Sequence, residues 1–574
     1  MRRLHLQAGI VQPRSGVKTI SVALVGLLAS ACTLELVDTF IGAGEQADGE
    51  SGELDSQGDA GDADEGGGEY GEEGSSDPEL PLFDVGGGDG DGMQVSSCQL
   101  AAEFPSHLGC EFFGIDVDGP GLFDYEPFGF VVINPLPEPV SVVFERYNGR
   151  EWGLVADATI ASGEEHVFLP AHNQALGTGV HTGATLRIVS DQPIVVIQAH
   201  PAAGKAISAS ATMLQPITAW ASTTPVAGWR THQGVGERAY LAVVARTSGT
   251  TMVLDPTFEI SGAPAVWLDR WIDVDDDGQL ELMLPLEPGE LLRLDAGAID
   301  AAEVDHGTSG SIVGSGQEHL TSAFSAHTCA AIPDYDGSCG HMQEQLSAAL
   351  VGRRFVAPRL VASSNPFGGQ PDPLAPLVHE RTMIQVVATE PGTEVVFGYH
   401  DGDQAVVLDD VVIDPDEPYA VYESERELAI VADKPIVVAA YMTNSELTHL
   451  GSPSMVQLAP IDQWTSHHWV WVPDGFETHL LVSAAASASV HVEWLSGLAG
   501  DDTPPLPAEE LENALTAAPG GQSWAVRRVA VEPGVYRVES SGPSSVIVAG
   551  WRSADGFAYL GGWGPSFADL GPEG

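Results

Sequence analysis

Basic residues are scarce in this chain of 574 residues: Lys and Arg number 23 against 81 Asp and Glu, a formal charge of −58. That deficit argues against nucleic acid or an anionic bilayer surface as a partner, because both call for a basic face. Cysteine is rarer still, five in all. No apolar run is long enough to cross a bilayer comfortably as a helix. Helical periodicity is nearly absent; one stretch, PAEELENALTAA at 507–518, has the spacing of a helix of about three turns. Catalytic signatures are missing as well. There is no HExxH, and GTSGS at 307–311 lacks the strand–turn–helix setting of a nucleophile elbow. SHHW at 466–469 puts His467 and His468 on opposite strand faces, unsuited to gripping one metal.

What is present begins with a short apolar run. Arg2, Arg3, Arg14 and Lys18 precede it with no acid, it spans about Ile20 to Ala29, and Ala29-Ser30-Ala31-Cys32 closes it. This is the layout of a secretory signal peptide, residues 1–31. The closing tetrad resembles a bacterial lipobox, with Ala29 where leucine is favoured. The resemblance implies that Cys32 carries a lipid tying the mature chain to a membrane. The alternative is an ordinary signal peptide with an incidental cysteine. Thr33 rather than Asp follows Cys32, which favours the outer membrane in bacterial sorting. Residues 33–92 then hold nineteen acids and no Lys or Arg, padded with Gly and Ser. So little apolar surface cannot offset chain entropy, and 32–95 reads as a disordered acidic tether.

Beyond the tether 62 acids face 19 bases. Such a body suits solubility, divalent cations or cationic partners. It is too long for one core and calls for several domains or a repeat array. With Cys32 set aside, four cysteines form two sequence-close couples. We expect bridges Cys98–Cys110 and Cys329–Cys339 in an oxidising compartment, each worth about 2–3 kcal/mol. Free thiols or another pairing are the alternative; the spacing within neither couple suits a zinc ligand pair.

The body repeats itself. SDQPIVVIQAH at 190–200 returns as ADKPIVVAAYM at 432–442, with weaker echoes at 315–327 and 541–551. MLQPITAW at 213–220 returns as VQLAPIDQW at 456–464, and more faintly as EQLSAAL at 344–350. TIASGEEHVFL at 159–169 is echoed by LPLEPGELLRL at 284–294 and VAVEPGVYRVE at 529–539. Short runs of Val, Ile, Leu and Thr between Gly, Pro, Asn and Asp clusters are strands. In DKPIVVAAY we expect a turn at Asp-Lys-Pro, then a strand buried on both faces. Trp464 is expected to cap a core and Gln457 to satisfy backbone groups at the bend. The period is roughly 110–125 residues, giving four modules near 112–230, 237–360, 380–475 and 476–566.

The segment LTSAFSAHTCAAIPDYDGSCGHMQEQLSAALVGRRFVAP at 320–358 is the most specific. Ser325, His327, Cys329, Cys339, His341, Glu344, Gln345, Leu346 and Phe355-Val356-Ala357-Pro358 occupy the places of a known pattern. The segment resembles the IgGFc-binding protein N-terminal domain family, with Gly340 in place of Asp and Ser347-Ala348 in place of prolines. HLGCEFFGIDVD at 107–118 and the DKPIVV phrases extend the likeness over about 107–566. The resemblance implies an exported, surface-located β architecture of unknown ligand; it defines no binding residues.

One motif suggests a metal. In DVDDDGQLEL at 273–282, Asp273, Asp275 and Asp277 before Gly278 match the opening of a calcium loop, but its twelfth position is Leu284 rather than Glu. A plain hairpin turn explains Asp-Asp-Gly equally. Asp116, Asp118 and Asp124 form a weaker acidic turn. His327 and His341 flank the second cysteine couple and could approach each other.

The reading is all-β: tandem pseudo-repeated β-sandwich-like modules, or a β-propeller-like array, over 96–566 after the tether. No cofactor is required beyond the possible calcium. The expected function is a non-enzymatic lipoprotein of the cell surface or periplasm, with a ligand-binding or adhesive role. Its partners are the membrane, through the lipid, and a protein or glycan, with no nucleic acid. A carbohydrate-active hydrolase with an acid pair between modules, or a structural envelope component, are the alternatives.

Overall fold

Unbroken apolar runs such as PIVVIQAH need a covering layer on both sides, and the fold supplies two. The computed structural model describes residues 96–564 apart from 117–127, 203–208, 232–237, 275–278, 298–306, 317–318, 334–338, 364–377, 402–403, 415–417, 444–451, 497–508, 518–522 and 553–554. A seven-strand pattern recurs four times. In the first unit the strands are Gly109–Ile115, Gly129–Ile133, Val140–Tyr147, Trp152–Ile160, Glu165–Phe168, the long Thr185–His200 and Ser210–Met213. The second unit has Thr223–Pro225, Ala239–Ala245, Thr250–Asp255, Glu281–Leu286 and Leu291–Ala296, a long strand split into Ile312–Gly314 and Thr321–Ala330, then Gly340–Leu346. The third has Gly352–Ala357, Thr382–Ala388, Thr393–Asp401, Gln404–Ile413, Tyr419–Ser424, Leu428–Met442 and Ser454–Gln457. The fourth has Thr465–Val472, Glu477–Ala485, Val490–Ser496, Glu509–Ala517, Ser523–Val531, Gly534–Arg552 and Asp555–Leu560.

The long strand belongs to two sheets. Its first half pairs with the first and third strands, and its second half with the second and seventh. In the first three units the first, third and fourth strands therefore form an outer sheet, and the second, fifth and seventh an inner one. The Asp-Lys-Pro phrase is not the turn expected of it. The strand runs on through Pro193 and Pro435 and creases there. Across the crease the register steps from Glu111↔Val189 to Gly109↔Ile194, from Arg354↔Val431 to Gly352↔Ile436, and from His467↔Glu539 to Thr465↔Ser544. A proline has no N–H for the ladder, so it belongs at such a bulge. The residue two before each proline has a second task. Asp191 accepts from Ser141 N–H, Asp433 from Glu394 N–H and the Ser541 hydroxyl from Ser489 N–H, at 2.8 to 3.0 Å. Each contact fixes the chain at or just before the third strand.

The unit cores are shared in a cycle. Phe130 and Val132 face the first core, where Tyr240, Ala242 and Val244 of the second unit complete it. Leu241 and Val243 face the second core with Met383, Val387 and Tyr441 of the third. Ile384 and Val386 face the third core with Leu481, Val526 and Ile547 of the fourth. Leu480 and Val482 face the fourth core with Val131, Ile133, Val195 and Ile197 of the first. Each inner sheet is thus buried on both faces, and the four sandwich-like units close into a ring.

Within the stretch expected to be helical, the described residues are not a helix. Glu509–Ala517 is a strand, antiparallel to Ser523–Val531 from Glu509↔Ala530 to Ala517↔Ser523. An available sheet edge outweighs the weak preference of Glu, Leu and Ala for helix.

Candidate functional site

At the ring's axis the four seventh strands meet: Ser210–Met213 touches Gly340–Leu346, which touches Ser454–Gln457, then Asp555–Leu560, which returns to the first. Polar side chains stitch this hub. The Gln345 amide oxygen accepts from Gln215 N–H at 2.6 Å, and Gln345 N–H donates to the Thr212 hydroxyl at 3.0 Å. Gln198 donates to Gln343 at 2.8 Å, and Ser210 lies 2.6 Å from His341 Nδ1. Gln457 accepts from Ser347 N–H at 2.8 Å and donates to Ser347 C=O at 2.9 Å. It serves the backbone of the preceding unit rather than its own bend. Trp563 Nε1 donates to the Gln215 side chain at 2.6 Å, closing the ring between the fourth and first units. Trp220 and Trp464 each donate to a carbonyl five residues back, at 3.2 and 3.0 Å.

Titratable groups are buried in these contacts. Glu344 accepts from Gln457 N–H at 3.1 Å, yet burial pushes its carboxyl up to about 8. Burial lowers His107 to about 4 and His468 and His479 to about 3. His341 is also lowered, by burial first and then by the neighbouring His200, His327 and Arg293. His327 and His341 are thus close, and the rings of His200 and His341 lie 5.2 Å apart. Asp555 accepts from Ala209 N–H at 2.7 Å and pairs with Arg552 at 2.6 Å; burial raises its pKa. Between the third and fourth units, Glu427 holds Arg528 at 2.7 Å and Arg359 at 3.1 Å, and Arg528 also donates to Arg359 C=O at 2.6 Å.

The rim is different. A cavity of about 460 Å³ on the first unit is lined by Arg146, Tyr147, Asn148, Leu154, Asn173 and Thr182 among others. Beneath it Asp116 is sealed: Asn173 N–H donates to it at 2.5 Å, His172 lies at 3.3 Å and Arg146 at 3.9 Å. Burial raises its pKa, but its carboxylate does not open into the cavity as a general acid would need. A second crevice of about 140 Å³, lined by Trp229, Met383, Tyr419 and Val421, joins the second and third units. Elsewhere the rim exposes large apolar side chains, Val266 at 77% and Leu268 at 75% the most.

The sequence-derived candidates fall in several places. Cys98 is bonded to Cys110, where a short helix Cys98–Glu103 meets the first strand, and Cys329 to Cys339, at the end of a hairpin. Asp273 leads out of strand Trp271–Ile272, which pairs with Glu281–Leu286, so the acidic stretch connects a hairpin. Glu281 accepts from Val274 N–H at 2.8 Å and is committed within that hairpin. Asp275 and Asp277 lie outside the described residues, as do Cys32, Asp118 and Asp124. Among the described residues no group of three or more His, Cys, Asp or Glu is placed to hold a metal ion. His468 is buried and bonded to Ser544 while His467 is half-buried beside Trp469, on opposite faces as their spacing requires. Glu427, Asp555 and His479 carried no sequence signal.

A family model described as IgGFc binding protein matches residues 210–550, more than half of the chain. The chain belongs to the IgGFc binding protein family. The family match opens at the seventh strand of the first unit and ends within the long strand of the fourth, so it takes in Glu344, Gln345, Gln457 and the Cys329–Cys339 bond. No curated protein matches this chain. Among solved structures, a tetra-tandem repeat in the extending region of a large adhesion protein aligns over 79% of this chain and 98% of its own, at 8% identity and a TM-score of 0.09. At that score the alignment supports no inference. No described helix is long and apolar enough to cross a membrane.

Proposed function

We propose that this chain is an exported, non-enzymatic binding protein that uses the rim of a rigid four-unit ring to hold a protein or glycan. The observation that carries this is the placement of its chemistry. The buried groups with shifted proton affinity, Glu344, His341, His468, His479 and Asp555, are shut away from solvent inside the units and their junctions, and Asp116 is sealed under its cavity. What the rim offers is shape, apolar side chains and negative charge, the means of a binding surface. Family membership supports a protein ligand, and two disulfides fit an oxidising, exported location.

A lipid at Cys32 and the acidic tether would set the ring away from a bacterial membrane. Fatty-acid labelling of the expressed chain, lost in Cys32→Ser, tests the anchor. Residues 96–566 on protein and glycan arrays, with and without calcium, test the binding. Specific capture is expected; hydrolysis of an arrayed glycan would favour the hydrolase instead. Calcium at Asp273, Asp275 and Asp277 predicts a lower melting temperature after chelation, and an unchanged one removes it.

A further inference from the structure

Apart from the split long strand of the second unit, the pairing of the seven strands differs between units at one strand. In the first three, the fourth strand lies against the third: Val140–Tyr147 pairs with Trp152–Ile160, Thr250–Asp255 with Glu281–Leu286, and Thr393–Asp401 with Gln404–Ile413. In the fourth unit the counterpart Glu509–Ala517 goes to the other sheet, beside Ser523–Val531. The third strand of that unit, Val490–Ser496, pairs among the described residues with the long strand alone.

The vacancy has a consequence for burial. In the other units the inward residues of the third strand are sealed: Val142 and Phe144 at 1% exposure, Met252 and Leu254 at 0%, Val395 at 0% and Phe397 at 2%. In the fourth unit Val490, Val492 and Trp494 are only part-buried against their core. A row of backbone donors and acceptors that no described strand pairs, beside half-covered apolar side chains, is a template for one more strand. Among the described residues its far end meets the start of strand Glu165–Phe168 of the first unit, where the Ser496 hydroxyl donates to Glu165 at 2.5 Å.

From this vacancy we infer that the Val490–Ser496 edge receives an extended segment of another protein, added antiparallel as a further strand. The three filled positions show what fits: a strand such as Gln404–Ile413 with aliphatic residues recurring along it. Charge decides what the incoming strand carries on its outer face. Glu493 is 41% exposed on this edge, with Arg537 of the long strand paired to it at 2.6 Å and to Glu539 at 3.3 Å. The local cation is thus already shared between two acids, and the body behind it holds 62 acids to 19 bases. A second copy would meet like charge, so the occupant is a segment alternating aliphatic and basic residues.

This deepens the binding reading and rests on it. The test uses the full chain and an end-blocked nine-residue peptide alternating valine and lysine, followed by amide hydrogen exchange. Alternate amides of an edge strand point outward, so about half of the amides of 490–496, the fast-exchanging ones, should become protected. Those of Trp152–Ile160 and Gln404–Ile413, the edges of the filled sheets, should not. Glu493→Lys, a surface change that keeps the fold, should weaken the lysine peptide and favour a valine–glutamate peptide. No protection at 490–496, equal protection at all edges, or indifference to Glu493→Lys would overturn the inference. An array ligand that binds the ring and leaves 490–496 unprotected would overturn it too, while the binding reading stood.

Discussion

The hub and the rim of this ring are built from the same repeated unit but obey different rules. At the hub, side chains of neighbouring units satisfy one another's backbone, as Gln457 does for Ser347. At the rim, ion pairs such as Arg354–Asp462 stand 49% and 62% exposed and apolar residues face solvent. A polar group has to be paired where water is excluded and is free where it is not. The hub is therefore where substitutions should cost stability, and the rim where they should cost only recognition.

Acid should strain this contrast most. His107, His468 and His479 are neutral in the fold, lowered by burial to about 4, 3 and 3 from 6.5. The unfolded chain binds their protons from pH 6.5 downward, so stability is intact above 6.5 and falls as pH drops toward the folded values. Together they amount to on the order of 10 kcal/mol, comparable with the whole margin of an ordinary domain. The urea midpoint should fall steeply between about pH 6 and pH 4, with the four units melting together because their cores are shared. A midpoint flat over that range would mean the histidines are not held neutral.

A buried ion pair comes next. Removing Glu427 takes a carboxylate at 2.7 Å away from the fully buried Arg528 and breaks that carboxylate's bond to Arg359 as well. Glu427→Ala should cost about 3–5 kcal/mol in urea unfolding, whereas Arg354→Ala at the rim should cost about 0–1 kcal/mol. Equal costs for the two would erase the distinction between hub and rim.

Glu344 tests the hub from the opposite direction. Its carboxyl is raised to about 8, so folding favours the protonated form and stability drains away as pH rises from about 4.5 through 8. Glu344→Gln should stabilise by roughly 2–4 kcal/mol at pH 8.5 and by nearly nothing at pH 4. A variant destabilised equally at both would show a steric role only.

Much of this plan was legible in the chain because both faces of the inner sheets are covered. Burial of that kind writes itself as unbroken runs, PIVVIQAH and PIVVAAYM. The ring was not legible, since periodicity records the unit and not the neighbour that completes its core. The crease was misread as a turn because Asp-Lys-Pro serves both; only the hydrogen bond from Glu394 N–H to Asp433 tells them apart. Glu509–Ala517 was misread because its partner edge is a tertiary fact. Of the hub, Gln345 and Glu344 stood in the motif HMQEQL, whose polar residues gave no hint that all of them are buried.

The smallest effect belongs to the rim. Val266 and Leu268 lie on the turn Ala265–Arg270, with Trp267 between them buried at 8% exposure. That alternation separates the two roles within three residues. Val266→Ser with Leu268→Ser removes apolar surface already in water, so unfolding should shift by less than about 0.5 kcal/mol. Trp267→Ala opens a core and should cost about 3–5 kcal/mol. If the double serine variant also loses capture of an arrayed ligand, the patch is part of the recognition surface. If it unfolds as readily as Trp267→Ala, the rim is structural and the contrast with the hub fails.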